Sequence, residues 1–304
     1  LGTGDVMKNS LKKMHIFTIA TKENHHLDRL IQSAKAHNIN LDIFGMGETY
    51  KGHGKKRILM HRYLSQCNPN DVFMYVDAYD VIFLAGEDEM YQKYREYYND
   101  QLVFGAEQNL GMYRIDDIYY FFKYPIKNKR FKYLNAGTVM GPVKKGLELF
   151  GFFGLDNEEE KCDQVPLIQY FTKFPNRLTV DTEHHIFGVN GGRAGLEARD
   201  YQLKDHRLYS TKTNSWPTLL HVPGKFFVGL DQIAIQLGYM EQAPEYTKEE
   251  KLAYKAAKRD HEYCEKLGIE NYVFRLIKNW TINTGILLIL ILIFQWLSSF
   301  KYKI

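Results

Sequence analysis

Apolar runs of strand length alternate with stretches whose apolar positions recur at helical spacing over the first eighty or so residues of the chain. "MHIFTIAT", Met14 to Thr21, reads as a strand ending in a loop of small residues. Leu27, Leu30, Ile31 and Ala34 then share one helix face, and "LDIFGMG" reads as a second strand. "YKGHGKKRILMHRYLSQC" begins as a glycine-punctuated loop and becomes an amphipathic helix through Ile58, Leu59 and Tyr63. After the turn-rich "CNPND", Val72 to Val76 is continuously apolar, the pattern of a strand buried on both faces. Strand, helix, strand, helix, strand predicts the βαβ arrangement of a parallel nucleotide-binding sheet.

Further strands are expected in "LVFGAE" and the apolar part of "YLNAGTVMG", with helices near Lys144 to Phe153 and Gln164 to Phe174. "NRLTVDTEHHIFGV" reads as one more strand with its exit loop. Thr247 to Tyr272 is rich in charge and helix formers, which predicts a solvated helix. Trp280 to Phe300 carries no charge and is close to the ~20 residues needed to cross a bilayer. Trp280 and Trp296 fit interfacial anchors, and Arg275, Lys278, Lys301 and Lys303 flank the segment in a balance that sets no orientation. The pattern therefore divides the chain into an extension (1–13), an α/β domain (14–246), a charged juxtamembrane helical segment (247–279), a single-pass transmembrane helix (280–300) and a basic tail (301–304).

Composition narrows this picture. A chain of 304 residues with 45% hydrophobic content buries one large core or two modest ones. A net charge of +4 lacks the concentrated basicity of a nucleic-acid binder. Three widely spaced cysteines, Cys67, Cys162 and Cys264, indicate neither a disulfide framework nor a thiolate zinc site, and mildly favour a reducing compartment.

The chemistry starts at "FMYVDAYDVIF", where Asp77 closes the apolar strand and Asp80 follows three residues later. Ligands of open α/β sheets bind outside that carboxyl edge. Two neighbouring carboxylates raise one another's pKa and stay ionised only with a cation between them. A divalent metal is one reading; capping or salt bridging to a nearby Lys or Arg is the other. The glycines near Lys56 do not form a phosphate loop, because Thr49 and Lys56 stand where a Gly and a hydroxyl are required. No dinucleotide fingerprint follows the first strand, and the aspartate spacing is wrong for a haloacid-type phosphatase. In "KYLNAGTVMG", the Asn135 amide can bond a sugar hydroxyl and Gly137 permits close backbone approach. Asp163 and Gln164 open a helix, where Asp163 is a ligand contact or an ordinary cap. His221 in "LLHVPGKF", with Lys225 after it, is either structural or the imidazole of an N,O,O metal set.

Together and in this order, "IATKEN", "GMGETYKGHGKKRIL", "FMYVDAYDVIF", "LVFGAE", "YPIKNKRFKYLNAGTVMG", "DQVPLIQYF", "LTVDTEHHIFGVNGG" and "PTLLHVPGKF" resemble the glycosyltransferase domain of procollagen-lysine hydroxylases, from about His15 to about Leu237. The resemblance implies a GT-A-type, Rossmann-like mixed sheet flanked by helices, a UDP-sugar donor and Mn2+. It implies Asp77, Asp80 and His221 as metal ligands, and Thr21 and Lys56 near the uridine and ribose. It further implies Tyr79 stacked on the uracil, Lys225 at the diphosphate, and Asn135 and Asp163 at the sugar and acceptor. The activity expected is transfer of glucose or galactose to a protein (hydroxylysine-type) or glycan hydroxyl.

Three departures bear on that expectation. Lys161 and Cys162 precede Asp163 where the family carries an acidic run, "QNLGMY" follows "GAE" in place of an aromatic and proline, and "HVPGK" is less rich in glycine and asparagine. They leave the acceptor open, and keep a membrane-tethered glycan-binding or scaffolding protein with a decayed transferase site as the alternative.

Overall fold

The computed structural model describes residues 13–108, 110, 118–190, 200–224, 227–252, 254–256 and 259. The first half runs β1 (Met14–Ile19), α1 (His25–Ala36), β2 (Leu41–Phe44), α2 (His53–Leu64) and β3 (Val72–Asp77), as the periodicity predicts. The Asn24 side chain accepts from the backbone N–H groups of His26 and Leu27, which starts α1 where the small-residue loop ends. β3 is followed by β4 (Val81–Phe83), α3 (Glu87–Tyr97), β5 (Val103–Glu107), α4 (Ile118–Lys123), β6 (Tyr133–Pro142), α5 (Val143–Phe152) and α6 (Gln164–Lys173). Four short strands then precede β11: β7 (Thr179–Asp181), β8 (Phe187–Val189), β9 (Tyr201–Lys204) and β10 (Arg207–Ser210). β11 (Leu219–His221) and α7 (Phe227–Gln236) complete the order.

Six strands form the main sheet in the order β2-β1-β3-β6-β5-β7. β1 pairs in parallel with β2 and β3, but β6 runs antiparallel to both β3 and β5, so the sheet is mixed. This is the mixed α/β sheet flanked by helices that the resemblance implied; β5 and β7 also pair in parallel, so β6 alone breaks the parallel pattern. Alternation along β3 sends Phe73 and Tyr75 into one core cluster with Phe17, Leu59 and Val139, and Val72, Met74 and Val76 into another with Ile16, Leu27 and Leu30. Both faces are buried, hence the continuous apolar run.

A second sheet, β4-β11-β8, packs beside the first. The stretch "NRLTVDTEHHIFGV", expected as one strand, is split between the sheets: β7 pairs with β5, and β8 pairs with β11. The cause is Asp181, fully buried at the end of β7, whose carboxylate gathers the N–H groups of His185, Ile186 and Phe187 at 2.8 Å each and turns the chain out of the main sheet. Near the end of the described region Thr247 and Glu250 form a reciprocal capping box, each side chain accepting from the other's backbone N–H at 3.1 and 2.8 Å, and helix follows from residue 248. Among the described residues no helix is long and apolar enough to cross a membrane. The expected span, 280–300, lies outside them, as do Lys225 and the tail 301–304.

Candidate functional site

Two sheets contribute to one cluster. Asp77 ends β3 of the main sheet, Asp80 lies in the turn before β4, and His221 ends β11 of the smaller sheet, where it pairs in register with Val81. One ligand atom from each of Asp77, Asp80 and His221 falls within 4.8 Å of the others. His221 Nε2 is 3.3 Å from Asp80 Oδ1 and 3.8 Å from Asp77 Oδ2. Burial alone would lower the pKa of this imidazole, but Asp80 and Asp77 together lift it above its ordinary value. Asp80 Oδ1 and both ring nitrogens of His221 are buried without a hydrogen-bond partner. Such orphaned atoms in an O,O,N set of two half-buried carboxylates and a buried imidazole suit a divalent cation, so the residues present fit the metal that the resemblance implies. Gly137 faces the cluster, and a Cβ there would stand 2.2 Å from His221 Cε1 and 2.6 Å from Asp77 Oδ2.

The oxygens of Asp77 divide their duties. Oδ1 accepts from Lys56 Nζ at 2.8 Å and from the Tyr75 hydroxyl at 2.6 Å, which leaves Oδ2 turned toward His221. Lys56, delivered by α2, also pairs with Asp163 Oδ2 at 2.5 Å. Its burial works against the ammonium, yet Asp163, Asp77 and Tyr75 hold its pKa well above the usual lysine value. Tyr75 is pushed the same way, by burial and then by Asp77. A mostly apolar recess lined by Met60, Phe104, Phe150, Pro166 and Leu167, with Arg57, adjoins the Lys56–Asp163 pair. Asp163 precedes α6 but makes no capping bond, so the capping alternative falls away and its charge is spent on Lys56. The salt-bridge and metal readings of Asp77 turn out to be compatible, one on each oxygen.

Asn135, on β6, is buried. Its amide nitrogen donates to Glu107 Oε1 at 2.9 Å, while its oxygen accepts from the N–H of Gly137 at 2.9 Å. Gln164 Nε2 donates to the same Glu107 oxygen at 3.0 Å. The amide thereby fixes the backbone that passes His221.

Residues 10–250 match the family model described as "PLOD GT domain". The chain belongs to that family. Its relatives include the "Multifunctional procollagen lysine hydroxylase and glycosyltransferase" of Caenorhabditis elegans, 28% identical over 251 residues, or 75% of this chain and 33% of the relative. "Procollagen-lysine,2-oxoglutarate 5-dioxygenase 2" of Homo sapiens is 32% identical over 225 residues, covering 70% of this chain and 30% of that one. The chain thus spans about a third of the length of these curated relatives. Among solved structures, a glycosyltransferase involved in glycosylation of the major capsid of PBCV-1 is similar at a TM-score of 0.41 and 9% identity, covering 72% of this chain and 98% of that one.

In this PLOD GT domain Thr21 and Tyr79 lie in the loops that follow β1 and β3, whose ends pair at Ile19 and Asp77. Thr21 follows β1, and its carbonyl accepts from the N–H of Gly47 at 3.1 Å. Tyr79 lies between the two aspartates with its hydroxyl donating to the Lys22 carbonyl at 3.0 Å, so the loop after β1 and the aspartate turn are tied together. Tyr50 and His53 contact each other at 3.2 Å on the rim, and His53 Nδ1 is 3.7 Å from Asp163. Tyr50's pKa is pushed up to about 12, first by burial and then, against the pull of Lys56, by Asp163 and Asp77. Tyr75, Glu107 and Tyr50 join the site without being expected there from the sequence, and Gln164, noted only at the start of a helix, joins them. Only Glu107 carried a signal: it closes an apolar strand with a carboxylate, as Asp77 does.

Proposed function

We propose that this chain transfers a hexose, glucose or galactose, from a UDP-sugar to a hydroxyl of a protein or glycan. What supports the reading, beyond membership of the family, is the convergence of Asp77, Asp80 and His221 on one point with buried Lys56 bridging Asp77 to Asp163. Asp77 Oδ2, Asp80 and His221 would hold the metal, Mn2+ in this reading. When bound, such a cation neutralises a diphosphate and stabilises the charge that grows on the departing UDP. Lys56 holds one Asp77 oxygen in place and supplies positive charge from a buried position, where it counts for more than in water. Asp163, fixed by that ammonium, orients the acceptor hydroxyl or supports positive charge at the anomeric carbon. Asn135 keeps the Gly137 backbone close to His221, and Tyr79 offers a ring to the uracil. Lys225 belongs to the same reading as a diphosphate contact. The relatives are named for procollagen lysine, which makes a hydroxylysine-type side chain the first acceptor to try.

The test is UDP release from a panel of UDP-sugars with Mn2+ or EDTA, with and without hydroxylysine and galactosyl-hydroxylysine peptides. Release from one donor that EDTA abolishes is the expected result. Mn2+-dependent UDP binding without turnover on any acceptor would instead favour a glycan-binding protein. Attachment to a membrane through 280–300 is part of the proposal; the full chain should partition into detergent and a chain ending at residue 270 should not.

A further inference from the structure

Arg29 stands on α1, behind the Asp77–Asp80 turn, and its side chain is 0% exposed, as is that of Asp231 on α7. Arg29 Nη1 donates to Asp231 Oδ1, and Nη2 donates to the backbone carbonyl of Tyr79. The Tyr246 hydroxyl donates to the second Asp231 oxygen at 2.6 Å, and the Phe227 ring lies 5.9 Å from the guanidinium. A buried ion pair is seldom the most stable filling for a core, because well-packed apolar residues avoid its desolvation cost. Its position suggests what it does instead. Tyr79 belongs to the two-residue stretch between the paired aspartates, and the far side of that stretch is fixed independently: the Asp80 carbonyl accepts from the N–H of Val222, next to His221, at 2.9 Å. Arg29 and the strand that carries His221 therefore grip two consecutive carbonyls at the Asp80 end of the turn, while the pairing of β3 with β1 holds its Asp77 end.

We propose that Arg29, held in place by Asp231 and Tyr246, is a positioning residue that sets the Asp77–Asp80 turn to the geometry a divalent cation requires. The planar guanidinium reaches two acceptors in fixed directions, which a lysine ammonium does not reproduce. Tyr246 immediately precedes the Thr247–Glu250 capping box, so the root of the C-terminal helical segment is part of the same support. The proposal rests on Asp77, Asp80 and His221 being the metal ligands, and its test separates the two claims.

Mn2+ binding to the full chain is measured by titration calorimetry, together with the electron paramagnetic resonance spectrum of the bound ion. The variants are Arg29→Lys, which keeps the charge, and the paired Arg29→Met with Asp231→Leu, which removes both buried charges at similar volume. Melting in EDTA reports on the fold alone. Supporting partners behind metal ligands typically change metal affinity by about 10- to 100-fold. The expected result is a loss of that size in both folded variants, with an altered spectrum. Wild-type affinity and spectrum in a folded variant would overturn the proposal while leaving the metal site standing. Failure of both variants to fold in EDTA would mark the pair as a structural strut and overturn it as well. A wild-type chain that binds no Mn2+ overturns the metal reading and this proposal with it.

Discussion

A single methyl group is enough to probe the crowding at Gly137. The Cβ of Gly137→Ala would sit 2.2 Å from His221 Cε1, far inside contact distance, so the imidazole or β6 must shift by more than an ångström. Misplacement on that scale costs turnover on the order of 100-fold. UDP release should fall by about that factor while the far-UV circular dichroism is unchanged; an alanine variant with full activity would show that the imidazole is not needed where it stands. His221 adds a pH signature to metal-free protein. Its folded pKa is raised by Asp80 and Asp77 against the effect of burial, so the stability it contributes is fully present below its unfolded value of about 6.5 and is lost as pH rises through the folded value. In EDTA, wild type should lose more melting temperature than His221→Asn between pH 6 and 8. A difference that is flat with pH would contradict the raised pKa.

At the level of elements, α6 and the residue before it separate stability from chemistry. Asp163 occupies the capping position yet makes no capping bond, its carboxylate being paired with Lys56. Asp163→Asn should therefore leave α6 in place but weaken the grip on a buried ammonium, with UDP release falling at least tenfold and helix content unchanged; a variant with normal release would remove Asp163 from the chemistry. The same elements explain what could be read from sequence. β1, α1, β2, α2 and β3 were legible because their periodicity is local and each apolar stripe is long enough to register. β4, β8 and β11 were not, since three-residue strands carry no period, and the break between β7 and β8 depends on a carboxylate folding back on N–H groups several residues ahead. Asp77 and Asp80 stand out as two carboxylates at a strand end, His221 as an imidazole that could join them, and the resemblance ties the three into one set. The Lys56–Asp163 pair was not legible, because nothing local announces that residues so far apart in sequence will meet. For the same reason the duty of Asn135 as a backbone support for Gly137 became visible only with Glu107 and Gln164 beside it.

On the scale of the whole molecule, the described residues form a six-stranded and a three-stranded sheet that share an apolar cluster, in which Val81, Phe187 and Leu219 pack with Val76 and Met140, and a separate pair, β9 and β10. Asp77 belongs to the larger sheet, and His221 to the smaller, whose three short strands have little to hold them on their own. Any cation held by Asp77, Asp80 and His221 would therefore be a rivet between two sheets, added to the apolar packing they share, as well as a reagent. By mass action, a ligand at one hundred times its dissociation constant adds about 2.7 kcal/mol to the folded state. That increment would fall mainly on openings that part the two sheets. Amide exchange in β4 and β11 should slow on adding Mn2+ while exchange in β1 stays as it was. For such a protein, metal starvation would act twice, silencing the chemistry and shortening the lifetime of the chain against proteases.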